Sequence, residues 1–197
     1  MVEEIQTQEQ PQRVQLYIEP SQEGWDKHYV LNLGCGKFAK ISNGINVDID
    51  PACEPDLVWD LNQLPLPFED NKFDRVNLIH IFEHLGDPWL IKKPYVKWFF
   101  EFWNEIWRVL KPGGLVQFIA PNINNEQTWG DPGHCRAITP QTLCFLSKKI
   151  YQMNVDMTSP MTQYDIQCDF EFLVVPHLSL NNLFIAATLR AIKDGIA

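Results

Sequence analysis

The feature that most constrains this chain is a series of short apolar runs, each bounded by turn-forming residues. Tyr29–Leu33 runs into Gly34 and Ile45–Ile49 into Asp50-Pro51, while Arg75–Ile79 follows an Asp70-Asn71 turn and Leu115–Ala120 follows Gly113-Gly114. A shorter fifth candidate is Asp56–Trp59. Brief runs rich in Val, Ile and Leu suit strands buried on both faces, the condition of a parallel sheet covered by helices. Between the third and fourth runs, Phe99, Trp103, Ile106 and Leu110 recur at three- and four-residue steps within the segment 88–110, which predicts a helix with one apolar stripe. Lys111-Pro112-Gly113-Gly114 ends it, because proline cannot continue a helix and glycine accepts the left-handed exit. Strand, helix and strand in that order make a right-handed crossover. The expected fold is α/β, a doubly wound and mostly parallel sheet.

The flanks add less. Residues 1–13 are rich in Glu and Gln and nearly free of large apolar groups, so a flexible tail is expected before a single domain over 14–197. Val14, Leu16 and Ile18 alternate with polar residues up to Pro20, a weak strand signal. A helix is expected from Thr139 to about Met153, with Thr139 as N-cap and Pro140 in the first turn. Cys168–Val175 and Leu183–Ile192, separated by Asn181-Asn182, read as an antiparallel pair at one sheet edge.

Composition narrows the function classes. With 45% hydrophobic residues in 197, the chain has enough apolar mass for one core. No apolar run reaches the length of a membrane span and the polar N-terminus lacks a secretory pattern, so a cytoplasmic protein without a membrane partner is expected. Cys35, Cys53, Cys135, Cys144 and Cys168 are scattered, with no Cys-x-x-Cys pair. Neither a disulfide framework nor a thiolate zinc site fits, and no metal site is expected. A formal charge of −9 disfavours nucleic acid as a partner, since such binding displaces counterions with a basic surface.

Gly34-Cys35-Gly36 follows the first apolar run directly, where a chain turns tightly and lets a ligand approach without a Cβ in the way. With Ala39 it also fits the dinucleotide fingerprint G-x-G-x-x-A. Two observations separate the possibilities. Only residues 37–44 lie between this turn and Ile45, too few for the full helix whose N-terminus faces a pyrophosphate. S-adenosylmethionine carries no phosphate and loses little without that dipole. Acids also end the strands: Asp48 or Asp50 can accept hydrogen bonds from ribose hydroxyls, and Asp60 from an adenine amino group. A sulfonium cation tolerates such an acidic pocket better than a pyrophosphate does.

At this point the chain resembles the class I S-adenosylmethionine-dependent methyltransferases, in particular the small type 11 family. Leu31-Asn32-Leu33-Gly34-Cys35-Gly36 resembles the first motif and Asn46-Val47-Asp48-Ile49-Asp50-Pro51 the second. Leu64-Pro65-Leu66-Pro67-Phe68 with Phe73-Asp74-Arg75-Val76 matches the approach to the fourth strand, and His80-Ile81-Phe82-Glu83-His84-Leu85 the element after it. Glu105–Gly114 matches the helix and turn before the fifth strand. The resemblance spans about residues 29–121 and implies a Rossmann-like seven-stranded sheet, its last strand antiparallel, with S-adenosyl-L-methionine at the carboxyl ends of the strands. It implies cofactor contacts at Asn32, Gly34, Cys35, Gly36, Asp48, Ile49, Asp60, Leu61 and His80. Three departures stand out: Asn32 replaces the usual acid, Phe38 replaces the usual third glycine, and the helices after strands one and two are shortened.

The expected reaction is methyl transfer to an oxygen or nitrogen of a small-molecule acceptor. Acceptors of high pKa need a base, and His80, at the end of the fourth run, offers neutral imidazole near pH 7. Asp131-Pro132-Gly133-His134-Cys135-Arg136 resembles a D-P-x-H-x-R segment found after the fifth strand in many of these enzymes, and makes His134 the leading catalytic candidate, ahead of His80. The Asp/Asn-Pro-Pro-Tyr/Phe motif of DNA amino-methyltransferases is missing, since Ile79-His80-Ile81-Phe82 stands there. Trp98, Phe100, Phe102 and Trp107 exceed one helical stripe, which suits either a sandwiched helix or a homodimer contact through 89–110. A non-catalytic S-adenosylmethionine-binding partner subunit is the alternative function, and an NAD-dependent oxidoreductase the more remote one.

Overall fold

A computed structural model describes residues 29–87, 91–92, 94–153, 165–178 and 183–193. The expected tail and the strand signal at Val14–Ile18 lie outside the described residues. Seven strands form one sheet: β1 (Val30–Leu33), β2 (Gly44–Asp48), β3 (Leu57–Val58), β4 (Phe73–Ile79), β5 (Leu110–Pro121), β6 (Phe170–Leu178) and β7 (Phe184–Ala191), in the order β3-β2-β1-β4-β5-β7-β6. Pairings from β3 through β5 are parallel and both pairings of β7 are antiparallel, so β7 alone runs against the rest. All four residues of β1 are buried, as a central strand covered on both faces requires. The doubly wound sheet and the antiparallel last strand are as the sequence predicts. Among the described residues no helix is long and apolar enough to cross a membrane.

The link between β1 and β2 carries no helix, and the link between β2 and β3 only the 3-10 turn Pro51–Cys53. Side-chain hydrogen bonds stand in for the missing helices. Asn32 Nδ2 donates to Ala39 O at 2.8 Å and to Asn46 Oδ1 at 3.1 Å. Asn46 Nδ2 donates in turn to Ile41 O and to Asp56 Oδ2, which also accepts Asn46 N at 2.8 Å. Asn32 and Asn46 are 4% exposed, and burying their amides is tolerated because the knot supplies partners.

Helix α1 spans Tyr95–Val109, beginning later than the predicted segment 88–110, of which residues 88–90 and 93 lie outside the described set. Trp98, Phe99, Phe100, Phe102, Trp103, Ile106 and Val109 are all buried. They cover an arc of about 200° at 100° per residue, so the helix is sandwiched. Trp103 meets Phe118 and Phe170 of the sheet, and Trp98, Phe102 and Trp103 surround Phe82, which itself touches Phe118. Trp107 Nε1 donates to Ile192 O at 2.9 Å. Much of the aromatic surplus is thus buried within the chain itself.

Two boundaries differ from expectation. The helix yields to β5 already at Leu110, and Lys111–Gly114 forms a bulge: five steps along β5, from Leu110 to Leu115, match two steps of β4, from Phe73 to Arg75. Pro112 offers no donor to the ladder and Gly113 sits at φ +76, so these residues bend away from regular pairing. The predicted helix from Thr139 to Met153 is broken into α3 (Pro140–Cys144) and α4 (Lys148–Met153), with a short α2 (Glu126–Gly130) before them. Thr139 does cap α3, reciprocally with Thr142. The break follows from tertiary bonds: Leu146 O accepts Phe170 N at 2.9 Å and Asp169 Oδ1 accepts Lys148 N at 2.9 Å.

Candidate active site

The carboxyl ends of β1 to β5 carry nearly all the residues singled out above, from two neighbouring groups of loops. The first group lies over β1, β2 and β3. Gly34 (φ +69) and Gly36 (φ +51) adopt left-handed backbone, which favours glycine on conformational grounds alone. A Cβ on Gly34 would meet the Ile81 side chain at 2.4 Å, whereas one on Gly36 would meet nothing within 4 Å. Gly34 therefore lets the two loops touch, and Gly36 leaves the space above the turn open. Gly34 N and Cys35 N both donate to Val47 O, at 2.9 and 3.1 Å, locking the turn onto β2.

Asp48, at the end of β2, holds this turn. Its Oδ2 accepts Gly36 N at 2.8 Å and its Oδ1 accepts Asp50 N at 3.0 Å. Asp50 is used differently: its Oδ1 accepts Ala52 N at 2.8 Å and caps the 3-10 turn. Ile49 between them is 63% exposed, an apolar side chain at the mouth of the sheet. Asp60 forms an Asx turn through Oδ1, which accepts the backbone and side-chain nitrogens of Asn62 at 2.9 and 3.1 Å. Leu61 beside it is buried. Asn62 Oδ1 in turn accepts Gly86 N at 2.7 Å, coupling this loop to the one after β4. Cys35 is 1% exposed, and burial first, then the Asp48 charge, pushes its thiol pKa up, so it serves as a packed turn residue and not as a nucleophile. Asn32 lies below this group with its amide committed to the knot.

The second group lies over β4 and β5. His80 sits at φ +52, its N donates to Ile119 O at 2.9 Å, and its ring meets Phe184 edge-on at 4.9 Å. Its Nδ1 is 3.4 Å from Glu83 Oε1, and the imidazole is 42% exposed against 2% for the Glu83 side chain. The Asp131–Arg136 loop docks here. Cys135 N donates to Glu83 O at 3.0 Å, and the Arg136 guanidinium lies over the Phe82 and Trp98 rings at 5.4 and 5.3 Å. His134 Nδ1 donates to Thr128 O, and its ring packs edge-on against His84 at 4.6 Å. The D-P-x-H-x-R loop thus has a structural task, while its imidazole, 9% exposed at the side chain, faces Asp131 Oδ2 at 3.8 Å.

His80 and His134 are brought to the same half of the carboxyl edge, and Asp48 and Asp60 to the other. Residues with direct parts in this arrangement that lie outside the motifs are Phe184 and Thr128. Phe184 comes from β7, remote in sequence, with no local signal to mark it. A separate cavity of about 300 Å³ lies at the bulge end of β4 and β5, lined by Asp74, Arg75 and Lys111 among others. Its Lys111 is bonded to Asp74 at 2.8 Å, and it is remote from the glycine turn.

The comparisons with known proteins agree with this layout. No curated protein sequence matches the chain. Among solved structures, a SAM dependent methyltransferase from Archaeoglobus fulgidus is similar at TM-score 0.52 and 16% identity, covering 83% of this chain and 86% of that one. A SAM-dependent methyltransferase from Methanosarcina mazei is similar at TM-score 0.53 and 15% identity, covering 86% and 94%. A complex of the Haloferax volcanii Trm112 methyltransferase activator with a methyltransferase is similar at TM-score 0.54 and 15% identity, covering 84% and 83%. At these identities the likeness is one of fold. A family model described as a methyltransferase domain, of type 11, matches residues 31–118, from the buried strand before the glycine turn to the middle of β5. Over those residues, a little under half of its length, the chain is similar to the type 11 methyltransferase family.

Proposed function

We propose that this chain transfers a methyl group from S-adenosylmethionine to an oxygen or nitrogen of a small-molecule acceptor. The observation that carries the reading is the Asp48 carboxylate, bonded to Gly36 N at 2.8 Å at the end of β2 beneath an open glycine turn. The residues fit the group. Each Asp48 oxygen uses one acceptor direction within the protein and keeps another, a pair suited to two neighbouring ribose hydroxyls. The exposed Ile49 offers the adenine an apolar face, Leu61 packs beneath the same loop, and Asp60 Oδ2 is available to an exocyclic amino group. The bound cofactor supplies an activated methyl on a sulfonium. Gly34, Cys35 and Gly36 shape the floor, and His80 stands where the methyl would be presented. Asn32 supports the site indirectly, by holding the loop at Ala39 and Ile41.

His80 and His134 are the proposed proton acceptors when the acceptor is a hydroxyl or ammonium group. Phe38, fully exposed beside the turn, favours a second reading in which the chain binds the methyl donor as a subunit of an assembly. Titration calorimetry separates the readings from an NAD enzyme: S-adenosylmethionine and S-adenosylhomocysteine bind and NAD does not. Binding of NAD alone would end the proposal. Tight donor binding without transfer of a labelled methyl to any metabolite pool would favour the subunit.

A further inference from the structure

Glu83 is a buried carboxylate for which neither oxygen finds a hydrogen bond. It is 1% exposed, and His80 Nδ1, 3.4 Å from Oε1, makes no hydrogen bond to it. A buried carboxylate without donors is costly. Two imidazoles share its surroundings: one nitrogen from each of His84 and His134 and a Glu83 oxygen all lie within 4.8 Å of one another.

The tautomers of both rings follow from their partners. His84 Nδ1 is 3.1 Å from Gly133 O, and His134 Nδ1 is bonded to Thr128 O. A carbonyl oxygen only accepts, so each Nδ1 carries the proton and each Nε2 presents a lone pair when the ring is neutral. Metal-ligating histidines are oriented in this way, by an acceptor behind the other nitrogen. Gly133 leaves the His84 ring room, since a Cβ there would lie 3.2 Å from His84 Nδ1, a contact to which the ring would have to yield slightly. The Asp131 carboxylate fixes the loop by accepting Gly133 N at 2.7 Å, and its second oxygen stands 3.8 Å from His134 Nε2. One nitrogen of each ring and one or two carboxylates thus converge from loops that follow β4 and β5, and each ring, when neutral, keeps Nε2 as its lone-pair nitrogen.

We propose that Glu83, His84 and His134 bind one divalent first-row transition metal ion at the acceptor side of the carboxyl edge. Two imidazoles and one carboxylate leave open coordination positions, as catalytic zinc and iron(II) sites do. Imidazole ligands discriminate against magnesium and calcium, which take oxygen. The sheet order puts Asp48 and Asp60 over β2 and β3, and the metal cluster over β4 and β5. An open position there suits an oxygen of the acceptor, whose proton a bound cation makes easier to remove. This last role rests on the methyl-transfer reading; the metal site itself does not, and because a metal-bound His134 Nε2 has no lone pair left for a proton, His80 is then the base.

The test uses the full chain, freed of metal with a chelator and titrated with Zn2+ by calorimetry and with Co2+ by visible absorption. One ion per chain is expected, with a cobalt spectrum showing nitrogen ligation and no displacement by a large excess of Mg2+. Glu83→Gln and His134→Ala should each weaken binding by about tenfold or more, and His84→Gln likewise, with circular dichroism verifying the fold of each variant. Absence of a bound ion would overturn the proposal, as would binding that all three variants retain, which would move the ion to other groups such as the cysteines. Displacement by Mg2+ at equal concentration would overturn the choice of metal class. S-adenosylhomocysteine binding is measured on the same samples. Metal binding without it would uphold the site and remove its acceptor role, and the reverse result would uphold the cofactor reading alone.

Discussion

Replacing Asp48 by alanine removes the two acceptor directions assigned to ribose together with the bonds that Gly36 N and Asp50 N make to the same carboxylate. A hydrogen bond to a charged acceptor contributes about 1.5–3 kcal/mol. The two hydroxyls would regain water at this partly exposed edge, so the loss lies toward the lower part of their sum, at about 2–4 kcal/mol. That corresponds to an increase of about 30- to 1,000-fold in the dissociation constant of S-adenosylhomocysteine, read by titration calorimetry. The backbone bonds carry a separate cost of about 1–3 kcal/mol in folding, read by urea unfolding so that the calorimetry is done where the variant is folded. Asp48→Asn keeps one neutral acceptor and should fall between wild type and alanine. A dissociation constant for Asp48→Ala within about threefold of wild type, less than about 1 kcal/mol, would refute the ribose assignment.

Three further perturbations test other parts of the account. Gly34→Ala puts a Cβ 2.4 Å from Ile81 at φ +69 and should destabilise the fold by about 2–4 kcal/mol; adding Ile81→Ala removes the two shortest contacts but leaves the Ile81 Cβ at 2.8 Å and the backbone strain, so only partial recovery in urea unfolding is expected, and full recovery would contradict the strain argument. Arg108 joins Glu105, Asp70 and the carbonyls of Leu66 and Phe68, pinning the 64–70 loop to α1, so Arg108→Ala should cost about 2–4 kcal/mol in the same assay, and a loss below about 0.5 kcal/mol would mean that the network is replaced by water. Backbone and side-chain bonds from Asn46 hold the Asp56 carboxyl below its ordinary pKa. A depressed native pKa gives stability that is complete above the unfolded value of about 3.9 and is lost as pH falls through the native one. The deficit of Asp56→Ala relative to wild type should therefore be constant near neutral pH and shrink in acid; a deficit that does not change with pH would contradict the bond to Asn46.

The sheet was legible because its signals are local. Each strand from β1 to β5 is a short apolar run beside Gly, Pro, Asp or Asn, and the short spacing between Gly36 and Ile45 by itself ruled out a full crossover helix. The break in the helix after Thr139 was not legible, since the bonds that cause it come from Asp169 and Phe170, far along the chain. The long β5 was hidden for a related reason. Pro112 and Gly113 look like a terminator, yet β4 continues to pair across them as a bulge. At the site, Gly34, Gly36 and Asp48 carry their geometry in their own residue types and neighbours. Asn32 does not: its place in the first motif suggested a ligand contact, and the structure adds a second task, its Nδ2 holding Ala39 and Asn46 where a helix is absent. The convergence of Glu83 with His84 and His134 needs a loop from after β5 to fold onto one from after β4. Glu83 and His84 are neighbours in sequence, but nothing local tied them to His134 or marked a metal site.

The most direct test of the site is a crystal structure of the full chain with S-adenosylhomocysteine. The account predicts both ribose hydroxyls within hydrogen-bond distance of the Asp48 carboxylate, the adenine amino group at Asp60, and the sulfur directed toward His80. A ligand bound with its ribose away from Asp48, or bound at the far end of β4 and β5 beside Lys111, would contradict it.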